Sequence, residues 1–135
     1  MACPNHLKVQ MKYLLALVML FASPAWAGWT FVADTSETPP SRHFFDFETL
    51  RKEGNEITIW KLVNFPPNHQ NGWGSLRSKN LYDCRNETIQ ILSLQTFSEQ
   101  FARGKESSIV NSPTTKAHIP PDTQGWTMLK EVCKR

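Results

Sequence analysis

Short runs of aromatic and β-branched residues, set apart by clusters of turn formers, recur along the chain from residue 28 onward. Runs of that kind read as β-strands. Gly28–Ala33 (GWTFVA) is the first and His43–Phe47 (HFFDF) the second, with a polar loop from Asp34 to Ser41 between them. Gly54-Asn55 signals a turn ahead of the strongest run, Glu56–Phe65 (EITIWKLVNF). Pro66–Gly74 (PPNHQNGWG) is a loop by composition, and Ser75–Cys84 and Glu87–Phe97 are two further strands. A sixth, weaker run lies around Glu106–Val110. Within Glu56–Phe65, Ile57, Ile59 and Val63 compete with Trp60 and Leu62 for the inner side, so the pattern leaves that choice open.

The strands flanking Arg85-Asn86-Glu87 should form a hairpin whose register follows the apolar face. A two-residue loop at Asn86-Glu87 is the expected form, setting Cys84 across from Ile89, Tyr82 across from Ile91 and Leu81 across from Leu92. A three-residue loop would instead pair Cys84 with Thr88 and Tyr82 with Gln90. One face then carries Tyr82, Cys84, Ile89 and Ile91, and the other Arg77, Lys79, Asp83 and Gln90 among Leu81, Leu92 and Leu94. Downstream, Ile119–Cys133 opens on prolines with Asp122 as the expected N-cap, then continues at helical spacing. Trp126, Leu129 and Cys133 fall at i, i+3 and i+7 with Val132 beside them, a stripe suited to cover the drier face.

The first 27 residues follow a different pattern. Lys8 and Lys12 precede an apolar run, Tyr13–Ala22, which is followed by Ser23, Pro24 and the triplet Ala25-Trp26-Ala27. That order describes a secretory signal peptide cleaved after Ala27. As a helix the run would rise only ~15 Å, about half of a bilayer core, which argues against a membrane span. The expected organisation is a signal peptide over residues 1–27 and a single domain over 28–135, exported to the periplasm, the cell surface or the medium. Met11, followed by Lys12, is an equally good start.

Export changes the meaning of the composition. The 135 residues suit one domain, and 40% apolar content argues against wholesale disorder. The formal charge of +3 comes from 15 basic and 12 acidic residues; losing Lys8 and Lys12 leaves 13 against 12. A nucleic-acid binder built on a strong basic field is therefore not expected. Cys3 departs with the signal peptide, and Cys84 and Cys133 remain as an even pair. In an oxidising compartment they should bridge, closing a loop of ~50 residues worth ~4 kcal/mol in the chain-entropy model. No cysteine follows the cleavage site to carry a lipid, so no stable membrane anchor is expected.

The chemistry-bearing residues are scattered. His43, His69 and His118 lie at no metal-ligand spacing, and neither a Gly-x-Ser-x-Gly elbow nor a phosphate-binding loop occurs. No metal or cofactor is expected. Asp46, set among Phe44, Phe45 and Phe47, is the carboxylate whose surroundings could raise its pKa; with a loop histidine it would make a hydrolase. The expected reading is a carboxylate on the wet face of a strand or one satisfying the following turn, and no enzyme is expected. Asn86-Glu87-Thr88 matches a short glycosylation sequon. Arg77, Lys79 and Arg85 share one expected strand face, which reads first as an ordinary solvated face that protects the sheet from edge association and otherwise as a basic patch for an acidic partner, while Trp73 lies in the long loop. Trp and Arg dominate binding hot spots, so these four residues are the candidate partner-binding set.

Taken in order, Trp29, Phe45-Asp46 followed by Leu50, Gly54-Asn55 before ITIWKLVNF, Ser78–Cys84 ending in LYDC, IQILSLQTF, and Pro121 leading to Cys133 resemble the surface-adhesin protein E family of small exported bacterial proteins. The resemblance spans nearly all of residues 28–133. It implies an α+β fold: a bent antiparallel sheet of about six strands, with a C-terminal helix disulfide-tethered to its concave face through Cys84 and Cys133. It also implies adhesion to host matrix or serum proteins such as vitronectin and laminin, in some members as a homodimer, and it brings no catalytic motif. The expected function is thus non-catalytic, adhesin-like binding of a protein partner. The alternative is a periplasmic accessory or inhibitory module acting on a bacterial partner.

Overall fold

A computed structural model describes residues 28–135; the predicted signal peptide, residues 1–27, lies outside them. The chain builds an open antiparallel sheet whose strands follow in sequence order: β1 (Trp29–Asp34), β2 (Arg42–Glu53), β3 (Glu56–Asn64), β4 (Ser75–Asp83), β5 (Thr88–Glu99) and β6 (Arg103–Val110). A short β7 (Ala117–His118) returns to pair with β5, and helix α1 (Gln124–Cys133) closes the chain. Each sequential pair is antiparallel, so the connections can be short. At the β2–β3 turn Glu53 pairs with Glu56, and Gly54 takes φ +58°, a conformation that suits glycine.

Both sides of β3 are used. Ile57 and Ile59 are fully buried on the helix-bearing face with Phe45 and Tyr82, beneath Met128, Leu129 and Val132 of α1. Leu62 is equally buried on the opposite face, where its cross-strand partner Phe44 stands beside Phe101 of the β5–β6 turn, ring centroids 5.5 Å apart. That turn is pinned over the sheet by hydrogen bonds from Phe101 N to Asn64 Oδ1 and from Ala102 N to Ser75 Oγ. The competition between the two apolar sets of β3 is therefore resolved by two separate covers.

The β4–β5 hairpin departs from both expected registers. Asp83 pairs with Thr88, Tyr82 with Ile89 and Leu81 with Gln90, leaving a four-residue turn, Cys84–Glu87. The Asp83 carboxylate organises this turn: Oδ1 accepts from Arg85 N and Asn86 N, and Oδ2 accepts from Asn86 Nδ2. Those same hydrogen bonds hold the Asp83 carboxyl below its ordinary range. Relative to the two-residue loop the slip is two residues, and a slip of two preserves the side-chain faces. Tyr82 and Ile89 thus stay on the helix-bearing face, while Cys84 leaves the ladder. From there it bonds Cys133 in a disulfide with Cα atoms 5.8 Å apart.

Three further boundaries differ from expectation. β2 runs six residues past Phe47 because its ladder with β3 is interrupted between Asp46 and Arg51 and then resumes. The sequence breaks its alternation at that irregularity, which hid the second half. β7 is too short to carry a pattern. The N-cap of α1 is Thr123, whose hydroxyl accepts from Trp126 N, whereas Asp122 precedes it with φ +60°. In α1 the buried stripe is Met128, Leu129 and Val132, flanked by the half-buried Trp126 and Cys133.

Candidate binding surface

The loop between β3 and β4 is built by its own polar residues. Phe65 N donates to Gly74 O, and Gly74 N donates to Phe97 O, which ties both ends to the sheet. Between them, His69 N bonds Pro66 O and Gly72 N bonds His69 O, two successive turns, and Asn71 Oδ1 accepts from Trp73 N. Gly74 passes so close to β5 that a Cβ there would lie 2.5 Å from the Glu99 backbone. The result is an aromatic shelf. The His69 ring lies 4.7 Å from Phe65 at 32°, and Trp73, 36% exposed, lies 6.3 Å from Phe65.

The shelf lines an open groove of about 550 Å³ that also takes in Ser98, Glu99 and Gln100. Gln100 Nε2 donates to Phe65 O and holds that wall in place. On the far side, Glu37 Oε2 stands 3.8 Å from His69 Nε2. Aromatic faces with polar groups at their rim are suited to recognising another molecule.

The basic candidates lie elsewhere. Arg77 and Lys79 share the face of β4 opposite the helix, with cross-strand partners Leu62 and Trp60. The Arg77 guanidinium sits 5.4 Å from the ring centroids of both Trp60 and Phe97, and its Nε donates to Gln95 Oε1 at 3.0 Å. Lys79 opens onto a groove of about 770 Å³ whose charge is mixed: Asp46, Glu48, Glu53 and Glu56 face Arg51 and Lys52. Arg85 lies past the end of β4, in the turn. The structure thus brings Arg77 and Lys79 together, sets Arg85 apart, and places Trp73 in the separate loop shelf.

Asp46 organises backbone. Its Oδ1 accepts from Glu48 N and its carbonyl from Thr49 Oγ1, shaping the irregularity in β2. No histidine lines its groove. His43 is buried on the helix-bearing face, His69 belongs to the shelf and His118 is exposed on β7. Among the described residues, no group of three His, Cys, Asp or Glu could hold a metal ion, and no helix is long and apolar enough to cross a membrane.

Two clusters escaped the sequence reading. Phe31, Phe44 and Arg42 stack on the face opposite the helix, with Arg42 Cζ 4.8 Å from the Phe31 ring centroid. Lys61 stands on the helix-bearing face, which strict alternation from Ile57 and Ile59 could have shown.

The fold is similar to solved structures of Haemophilus influenzae protein E. One crystal form superposes with a TM-score of 0.60 at 13% identity, covering 82% of this chain and 90% of that one. Protein E from a non-typeable strain gives 0.59 at 13%, covering 83% and 79%. No curated protein matches the sequence. The profile of the family described as Surface-adhesin protein E matches residues 29–134, and the chain belongs to that family.

Proposed function

We propose that this protein is a small exported, non-catalytic adhesin that binds a host matrix or serum protein, with the Phe65–His69–Trp73 shelf as its principal contact. The observation that carries this reading is the shelf itself: a half-exposed Trp held by a loop tied to the sheet at both ends. A pre-positioned aromatic loses little conformational freedom on binding, so its contact area converts efficiently into affinity. Lys79 and Arg85, which make no ion pair among the described residues, supply long-range attraction to acidic partner surfaces. Arg77 acts at one remove, because Gln95, Trp60 and Phe97 already hold its guanidinium.

The test is saturable binding to immobilised vitronectin and laminin, paired with fractionation of the native host. Wild type binds and Trp73→Ala loses about tenfold or more in affinity with an unchanged melting temperature, as a hot-spot truncation does. Unaltered binding by Trp73→Ala removes the shelf from the reading. Confinement to the periplasm removes the host partner and leaves a bacterial one.

A further inference from the structure

Gly28, the first residue of the chain once the expected signal peptide is removed, stands against two carboxyl groups. Its neighbour Trp29 opens β1 and pairs with Asp46 of β2. β1 is the outer strand of the sheet, with β2 as its one neighbour. Past Asp46 the β2–β3 ladder is interrupted as far as Arg51, and Glu48 lies in that stretch. A carbon placed at the Cβ position of Gly28 would stand 3.3 Å from Glu48 Cδ and 3.5 Å from both Asp46 Oδ1 and Glu48 Oε2. The three atoms nearest to that position thus all belong to two side-chain carboxyl groups. The Gly28 nitrogen is two bonds away, about 2.5 Å, which puts it within about 6 Å of both.

Neither acid has a counter-charge. Among the described residues, Asp46 and Glu48 form no ion pair. Asp46 Oδ1 accepts from Glu48 N, and nothing donates to the Glu48 carboxylate. Arg51, the nearest cation along β2, turns its Nη1 to the carbonyls of Glu48 and Leu50. The groove that both acids line also carries Lys52, Glu53, Glu56 and Lys79, and Glu56 is already paired with Lys116.

We propose that removal of the signal peptide completes an ion pair, in which the α-ammonium freed at Gly28 is held by the Asp46 and Glu48 carboxylates and fastens the outer strand β1 to β2. This rests on the export reading, with cleavage after Ala27. Hydrolysis of the Ala27–Gly28 peptide bond takes up one water; the leader departs with a carboxylate on Ala27, and Gly28 gains an ammonium in place of a neutral amide. The precursor therefore lacks the pair, and the sheet edge is fastened only after export. The new charge sits one residue ahead of the β1 ladder, so the strand itself sets its position. Glycine suits the place, because a side chain would crowd Glu48. Opposite charges within about 4–6 Å favour the ionised form, which raises the α-amino group above its ordinary value of about 7.7–8.0. Its contribution to stability is then full below the unfolded value and fades as the pH rises through the folded one.

The test starts from the full precursor expressed in a secreting host, with the exported protein purified in its oxidised form. Intact mass identifies the first residue, and any first residue other than Gly28 overturns the cleavage reading and the ion pair with it. For protein beginning at Gly28, NMR follows the Gly28 Cα shift from about pH 5 to about pH 10, folded and in urea. Folded wild type is expected to titrate at least about half a pH unit above its unfolded state. Asp46→Asn/Glu48→Gln, which keeps an acceptor oxygen for Glu48 N, returns the midpoint to the unfolded value. Glu106→Gln, on β6 at the other edge of the sheet, leaves it raised. Equal folded and unfolded midpoints, or an undiminished difference in the double variant, overturn the ion pair and leave export standing. Should the double variant fail to fold, wild type at low and high salt decides: the difference shrinks as salt screens the pair, and a salt-independent one overturns it.

Discussion

His43 illustrates how a single side chain is redefined by its neighbours. In the sequence it opens a strand run and lies at no metal-ligand spacing; in the fold it is 8% exposed, near Lys61, with Nδ1 unpaired. Burial first, and the Lys61 charge second, lower its pKa from 6.5 to about 3. Because the folded value lies below the unfolded one, the unfolded chain binds more protons between them. Stability is then full above pH 6.5 and falls as the pH drops toward 3, by an amount on the order of a few kcal/mol at ~1.4 kcal/mol per unit. Urea unfolding as a function of pH is expected to show this slope, and His43→Gln to flatten it. A slope identical in the variant would assign acid sensitivity to other groups, such as Asp83, whose carboxyl is held below its ordinary range by the hydrogen bonds of the β4–β5 turn.

Among the elements, the loop and the hairpin turn differ in how legible they are. The loop Pro66–Gly74 was evident from its composition, yet its shape depends on one close approach that no composition reveals: Gly74 against β5. Gly74→Ala is expected to push the loop off the sheet and cost about 1–3 kcal/mol, as overpacking does. Urea midpoints at unchanged slope check this, and a midpoint matching wild type would show that the loop accommodates the methyl by shifting. The hairpin turn was misplaced because apolar alternation reports a face and is blind to a slip of two residues. What set the register was the Asp83 carboxylate, a local hydrogen-bonding choice made over four residues. The N-cap of α1 went to Thr123 for a comparable local reason, since its hydroxyl reaches Trp126 N.

For the whole molecule, the disulfide joins what the chain order separates. Cys84 and Cys133 are 49 residues apart and link the β4–β5 turn to the last residue of α1. Their pairing was readable from the count and the expected compartment, whereas the antiparallel sheet was what the family resemblance implied. The double variant Cys84→Ala/Cys133→Ala is expected to lose ~4 kcal/mol in denaturant unfolding, the loop-closure entropy of a ~50-residue ring. A loss below about 1 kcal/mol would mean that Met128, Leu129 and Val132 hold the helix by packing alone.

The sequence by itself determined the strand runs, the helical stripe, the paired cysteines and the family, because these follow from periodicity, counting and the order of short motifs. Only the tertiary structure decided which residues meet. It set Arg77 between Trp60 and Phe97, left Arg85 in a turn, and gathered Phe65, His69 and Trp73 into one shelf. It also brought Gly28 up to the carboxyl groups of Asp46 and Glu48. Alternation assigns a residue to a side of a sheet; register and the covers laid over each side determine its neighbours, and those depend on contacts between distant segments.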